Sequence, residues 1–139
     1  MRKMYQCWVS ILLCVFILSS TIVYANASEM NSRFSYISTV KATLSIEENT
    51  GKASCYGVVS ALGNNSVKLT CILQQNVNGV WKTVYNWEST GNRMTTIDKY
   101  YYVYPGYAYR VCVTGYVLGS NGNVLEHNTQ YNTVTYSIG

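Results

Sequence analysis

From Tyr36 onwards, apolar and polar residues alternate with a period of two, and no segment keeps the 3.6-residue repeat of an amphipathic helix. Val40, Ala42, Leu44 and Ile46 form one face of a first strand, with Thr39, Lys41, Thr43 and Ser45 opposite. Asn49-Thr50-Gly51 turns the chain into a second strand over 52–62, and Gly63-Asn64-Asn65 leads into a third over 66–75. Asn76-Val77-Asn78-Gly79 is a hairpin signal, because Asn and Gly accept the positive φ of a tight β-connection. A fourth strand is predicted over 80–88, and Ser89-Thr90-Gly91-Asn92 is read as a break before a fifth over 94–104. Pro105-Gly106 suits the central positions of a type II turn. A sixth strand follows over 107–118, and Gly119-Ser120-Asn121-Gly122 turns it into a long, bulged seventh over 123–137. Seven short strands with regular turns predict an all-β, seven-stranded antiparallel immunoglobulin-like sandwich, with a small barrel as the alternative.

The chain begins differently. Arg2 and Lys3 precede an apolar run over 8–23, and Ala25-Asn26-Ala27 has the small-x-small spacing that signal peptidase reads. Residues 1–27 are therefore expected to be a signal peptide, 28–35 a flexible lead-in, and 36–139 the domain. The stretch from Cys7 to Ala25 is also close to the roughly 20 residues that span a bilayer, so retention as an anchor is the competing fate. The expected location is outside the cell or at its envelope, with no stable membrane insertion after cleavage.

Composition narrows function by exclusion. The net charge of +4 falls further when Arg2 and Lys3 leave, and no basic cluster remains, so nucleic acid is not an expected partner. His127 is the sole histidine, no CxxC occurs and carboxylates do not cluster, so neither a metal nor another cofactor is expected. Glu126 and His127 are neighbours that a strand points to opposite faces. Glu47 and Glu48 sit at a turn and Asp98 stands alone. A Cys112–His127 couple across the last two strands is conceivable but has no activating group, so no enzyme is expected. Asn64-Asn65-Ser66 matches a glycosylation acceptor only formally.

Cysteine arithmetic leaves Cys55, Cys71 and Cys112 after cleavage. Strand phase puts Cys55 and Cys71 on core-facing sides and Cys112 on the other side of its strand, beside Arg110 and Thr114. A Cys55–Cys71 bridge and a pair of buried reduced thiols both remain open.

Tyrosine is the compositional oddity, with fourteen in the chain and only Tyr5 and Tyr24 in the leader. If Tyr101 and Val103 face the core, Tyr100, Tyr102 and Tyr104 form an exposed ladder, and Tyr56 can lie beside them. Such rings are ordinary strand formers that pack across a sheet. They are also rigid amphipathic surfaces suited to stacking on a sugar or a protein. Trp81, Tyr85 and Trp87 are assigned to one face of the fourth strand, with Trp81 as core filler and Trp87 as the more exposed ring.

Pro105-Gly106-Tyr107-Ala108-Tyr109-Arg110-Val111 resembles the entry to the sixth strand of immunoglobulin-like and fibronectin type III domains. That resemblance implies that the Tyr109 hydroxyl bonds back to the preceding corner. With Gly51-Lys52-Ala53-Ser54-Cys55, Leu73-Gln74-Gln75 and Asn78-Gly79-Val80-Trp81, the layout is similar to a family of small secreted proteins of clostridia-like Gram-positive bacteria. That family carries no assigned activity, so the likeness implies fold and export alone. The expected function is a secreted, non-catalytic binding module for an envelope glycan or protein. An antagonistic, bacteriocin-like protein and a matrix or coat component are the alternatives, and the oligomeric state is left open.

Overall fold

The computed structural model describes residues 34–137, so the expected signal peptide, and the lead-in before Phe34, lie outside the described residues. Seven strands follow in order: β1 (Ile37–Glu47), β2 (Lys52–Ala61), β3 (Ser66–Val77), β4 (Val80–Asn92), β5 (Met94–Tyr102), β6 (Tyr107–Leu118) and β7 (Val124–Tyr136). All pairs are antiparallel. They form a three-stranded sheet, β1-β2-β5, packed on a four-stranded sheet, β4-β3-β6-β7. The predicted sandwich is present, and β4 belongs to the β3-β6-β7 sheet, unlike the constant-type immunoglobulin layout.

Alternation explains the layers. Leu44, Ala53, Cys55, Val59 and Ile97 point inward from one sheet; Val67, Leu69, Cys71, Leu73, Tyr109, Val111, Val113 and Val117 point inward from the other. Outward neighbours along β2 and β6 are half-buried at every other position, as the pleat requires. Val40, Ala42 and Ile46 pack against this core only in part, because β1 is an edge strand.

Turn chemistry sets the register. Asn78 and Gly79 have φ of 53° and 84°, so the β3–β4 connection is a two-residue turn of the type I′ class, and the Gly79 N–H donates to Asn76 Oδ1 at 2.9 Å. Gly106 has φ of 92°, as the second central position of a type II turn demands.

Two expectations about β4 are corrected. Residues 89–92 do not break the strand: they continue the ladder with β3 as far as Ser66↔Asn92. Turn-forming composition yields there to the pairing surface that Ser66–Leu69 offers. The reversal comes one residue later, at Arg93, which adopts φ of 65°. The pairing also slips between Leu73 and Gln74, so that Leu73 opposes Tyr85 but Gln74 opposes Thr83, leaving Val84 as a bulge. An extra residue inverts the phase of everything before it. Trp81 is therefore on the outer face, whereas Tyr85 and Trp87 are on the inner side.

The start of β1 is fixed from across the sandwich. Glu126 accepts backbone N–H bonds from Ser35 (3.0 Å), Tyr36 (2.9 Å) and Ile37 (2.6 Å). Desolvation pulls this carboxyl upward, but the donors of Ile37, Tyr36 and Ser35 together outweigh it and hold it below the usual carboxylate range. A depressed acid stabilises the fold above its unfolded pKa and loses that contribution as pH falls through the folded value. The expected result is that amide protection at Tyr36 and Ile37 drops below about pH 4, ahead of the core strands. Hydrogen exchange across pH 3–6, with Glu126→Gln as the pH-insensitive reference, measures it.

Candidate functional site

The outer surface of the β1-β2-β5 sheet gathers the residues that carry the strongest candidate chemistry. Register places Glu47, Lys52 and Tyr102 in one row across the sheet, Ser45, Ser54 and Tyr100 in the next, and Thr43, Tyr56 and Asp98 in the third. Period-two alternation puts all nine on one face. Tyr100 and Tyr102 are exposed by 57% and 60%, which leaves their rings free to meet a ligand. Tyr56 shares the face and is half-buried.

Between the first two rows lies a shallow depression of about 250 Å³ lined by Ser45, Ile46, Glu47, Lys52 and Ser54. Lys52 stands directly opposite Glu47, yet its ammonium lies over the Tyr100 ring at 4.8 Å. The Glu47 carboxylate accepts from the Thr50 hydroxyl at the β1–β2 turn. The cation thus braces the ring at the rim of the depression, an arrangement worth about 0.5–1 kcal/mol at an exposed position.

The expected ladder is only partly realised. Tyr100 and Tyr102 meet edge to face, with centroids 5.8 Å apart and planes at 79°, so they form a corner rather than a flat tape. Tyr104 lies beyond β5 and is 80% exposed; its backbone carbonyl, not its ring, is the engaged group. Tyr101 is not core: it is 38% exposed and stacks on Tyr85 at 5.4 Å. Tyr85 in turn meets Trp87 at 5.0 Å. This row of rings covers the open edge of the sandwich between β4 and β5, where the inner faces would otherwise meet water. Trp87, expected to be the exposed ring, is half-buried and packs against the core. It belongs to this seam and is not brought to the Tyr100 face.

Tyr109 holds the corner as expected: its hydroxyl donates to the Tyr104 carbonyl at 2.7 Å and accepts from Gln75 Nε2 at 3.3 Å. A second such tie escaped the sequence reading. The Tyr136 hydroxyl donates to the Glu48 carbonyl at 2.8 Å, fastening the end of β7 to the β1–β2 turn beside the depression. No local motif marks Tyr136, because its partner is 88 residues away.

The thiols stay apart from this chemistry. Cys55 and Cys71 are fully buried on inner faces, and both are free, so the Cys55–Cys71 bridge is not formed here. Burial, and then the neighbouring Cys71 sulfur, push the Cys55 thiol up to about 12; burial, and then Cys112, do the same to Cys71. Neither is a thiolate near neutral pH, so neither is a nucleophile. Cys112 lies on the outer face of the other sheet opposite Tyr131, whereas His127 lies opposite Tyr116, against whose ring it stacks. Four residues along β6 separate the two positions by about 13 Å, too far for a Cys112–His127 couple. Among the described residues, no group of three His, Cys, Asp or Glu side chains converges as a metal site requires.

What this face can do chemically is bind. One braced ring offers a flat apolar surface, and Ser45, Ser54, Glu47, Lys52 and Asp98 surround it with donors and acceptors. No protein-family profile matches this chain, and no curated protein matches it.

Proposed function

We propose that this protein is a secreted, non-catalytic binding module that takes a glycan of the cell envelope on the outer face of its three-stranded sheet. The observation that carries the reading is Tyr100: an exposed ring braced by Lys52 at the edge of a depression lined by hydroxyl and carboxylate groups. A sugar presents an apolar C–H face and a rim of hydroxyls, and it needs that combination of ring and polar border. A protein hot spot asks for a pocket that excludes water around its anchor. This depression is shallow and polar, which favours the sugar. Export rests on the leader-like residues 1–27 and on the likeness to small secreted proteins of Gram-positive bacteria.

The test is a glycan array followed by titration of the best binder. Tyr100→Ala is expected to weaken binding about tenfold or more, since losing one stacked ring costs on the order of 1.5 kcal/mol. Tyr102→Ala should cost less, because that ring meets Tyr100 by its edge. Unchanged affinity in Tyr100→Ala, or an array without a binder, defeats the proposal; a protein captured instead through this face would transfer it to a different partner class.

A further inference from the structure

The outer face of the opposite sheet holds an arginine in an unusual setting. Arg110 projects from β6, and its guanidinium lies between two rings: Trp81 of β4 at 4.3 Å and Tyr131 of β7 at 4.9 Å. Its Nε donates to Gln74 Oε1 at 2.8 Å, which fixes the rotation of the plane. A ring thus flanks the cation on either side, and one edge is anchored. The terminal nitrogens make no hydrogen bond or ion pair with any described residue.

Among the described residues no carboxylate serves this cation. The one ion pair among the described residues is Lys68–Glu88 at 3.2 Å. Glu88 lies opposite Thr70, and Thr70 opposite Thr114, which puts it about 13 Å along the sheet from Arg110. Glu126 is occupied by backbone donors, and Glu47, Glu48 and Asp98 belong to the other sheet or its turn. The nearest side chains on this face are neutral: Thr133 opposite Arg110, Thr83 opposite Gln74, and Asn76 opposite Trp81.

A guanidinium anchored at Nε, flanked by two rings and with free terminal nitrogens is a pre-organised fork for a carboxylate, which it meets with two parallel N–H···O bonds. We propose that this edge is a second binding site, taking the carboxylate of an acidic sugar unit. The exposed flank of Tyr131 and the surrounding Thr and Asn groups would meet the ring and its hydroxyls. A peptide carboxylate is the less suited occupant, because the groups around the fork, Thr133, Thr83 and Asn76, are hydroxyls and an amide that match a sugar's hydroxyl rim. The site lies on the opposite outer surface from Tyr100, so it stands or falls independently of that platform.

The test uses the purified protein with oligogalacturonate, and with its methyl ester as a neutral probe of the same shape. The acid is expected to bind at least tenfold tighter than the ester, with shifts of the Arg110 side-chain NMR signals and of Trp81 fluorescence. Arg110→Lys keeps the charge but not the fork, and should lose that preference; Lys41→Ala, which removes an exposed cation from the other sheet, should retain it. Equal binding of acid and ester, an undiminished acid preference in Arg110→Lys, or preference for an acidic peptide over oligogalacturonate overturns the proposal. Should the Arg110 variants fail to fold, the acid–ester comparison and the NMR signature on the unaltered protein still decide it.

Discussion

Gly115→Ala is expected to lower the thermal midpoint by about 4–24 °C, although it adds a single methyl group. Gly115 sits on the inner face of β6, packed against Val59 and Val40 of the opposite sheet. A Cβ built there would lie 2.5 Å from Val59 Cγ2, 2.8 Å from Val59 Cβ and 2.9 Å from Val40 Cγ2. Real carbon atoms do not approach so closely. Val59 cannot swing aside: it is fully buried and β-branched, with little freedom at χ1. Relief must come from separating β2 and β6, which would also disturb Leu69 and Val113 where they pack under Gly57. Overpacking of this kind costs about 1–3 kcal/mol, and each kcal/mol moves the midpoint of a domain this size by about 4–8 °C. The double variant Gly115→Ala/Val59→Ala should recover part of the loss, because the second change removes the atoms that the first one meets. Calorimetry on the four proteins of the cycle gives the coupling directly. Additive losses would show that the sheets part without regard to Val59.

The same contrast between local pattern and distant contact separates what the sequence showed from what it hid. Strand number, the β3–β4 and β5–β6 turns and the inward phase of Cys55, Leu69, Cys71 and Val111 were legible, because alternation and turn residues act within a few positions. Tyr109 was legible too, since its corner partner lies five residues back. β4 was not. Val84 and Tyr85 are adjacent apolar residues, and that break in period was the only trace of the bulge that moved Trp81 to the outer face. Nothing nearby announced that Trp81 would meet Arg110, because the two are joined only through β3. Residues 89–92 misled for the opposite reason: their composition is that of a turn, while the ladder with β3 decides their state. Of the candidate face, Tyr100, Tyr102 and Tyr56 were placed correctly, but the Lys52 brace needed the β2–β5 register. Tyr104 and Trp87 were assigned to it by counting, and the end of β5 and the seam at its edge take them away.

Tyr109→Ala is expected to be the most destabilising single substitution in the corner, and Tyr109→Phe divides its effect into two parts. The ring is the largest fully buried side chain, at 2% exposure. Removing it leaves a cavity between the sheets, at a cost of about 3–5 kcal/mol. Phe keeps the ring and deletes the hydroxyl alone. That strips the Tyr104 carbonyl of its donor and Gln75 Nε2 of its acceptor, costing about 1–2 kcal/mol. The pH dependence gives the two variants a second signature. Burial raises the Tyr109 hydroxyl above its ordinary value of 10.0, with Tyr107 and Tyr136 adding a further rise, and only the protonated hydroxyl can donate to the Tyr104 carbonyl. The folded state therefore holds this proton after the unfolded chain has released it. The resulting contribution is complete below pH 10 and is lost as pH rises through the folded value. Wild-type stability should fall above pH 10 more steeply than that of Tyr109→Phe, which has no such proton to release. Denaturant melts at pH 8, 10 and 11 measure both quantities. Parallel pH curves for the two proteins would mean that the corner hydroxyl ionises as freely in the folded chain as in water, and that the 2.7 Å bond to Tyr104 does not hold the corner closed.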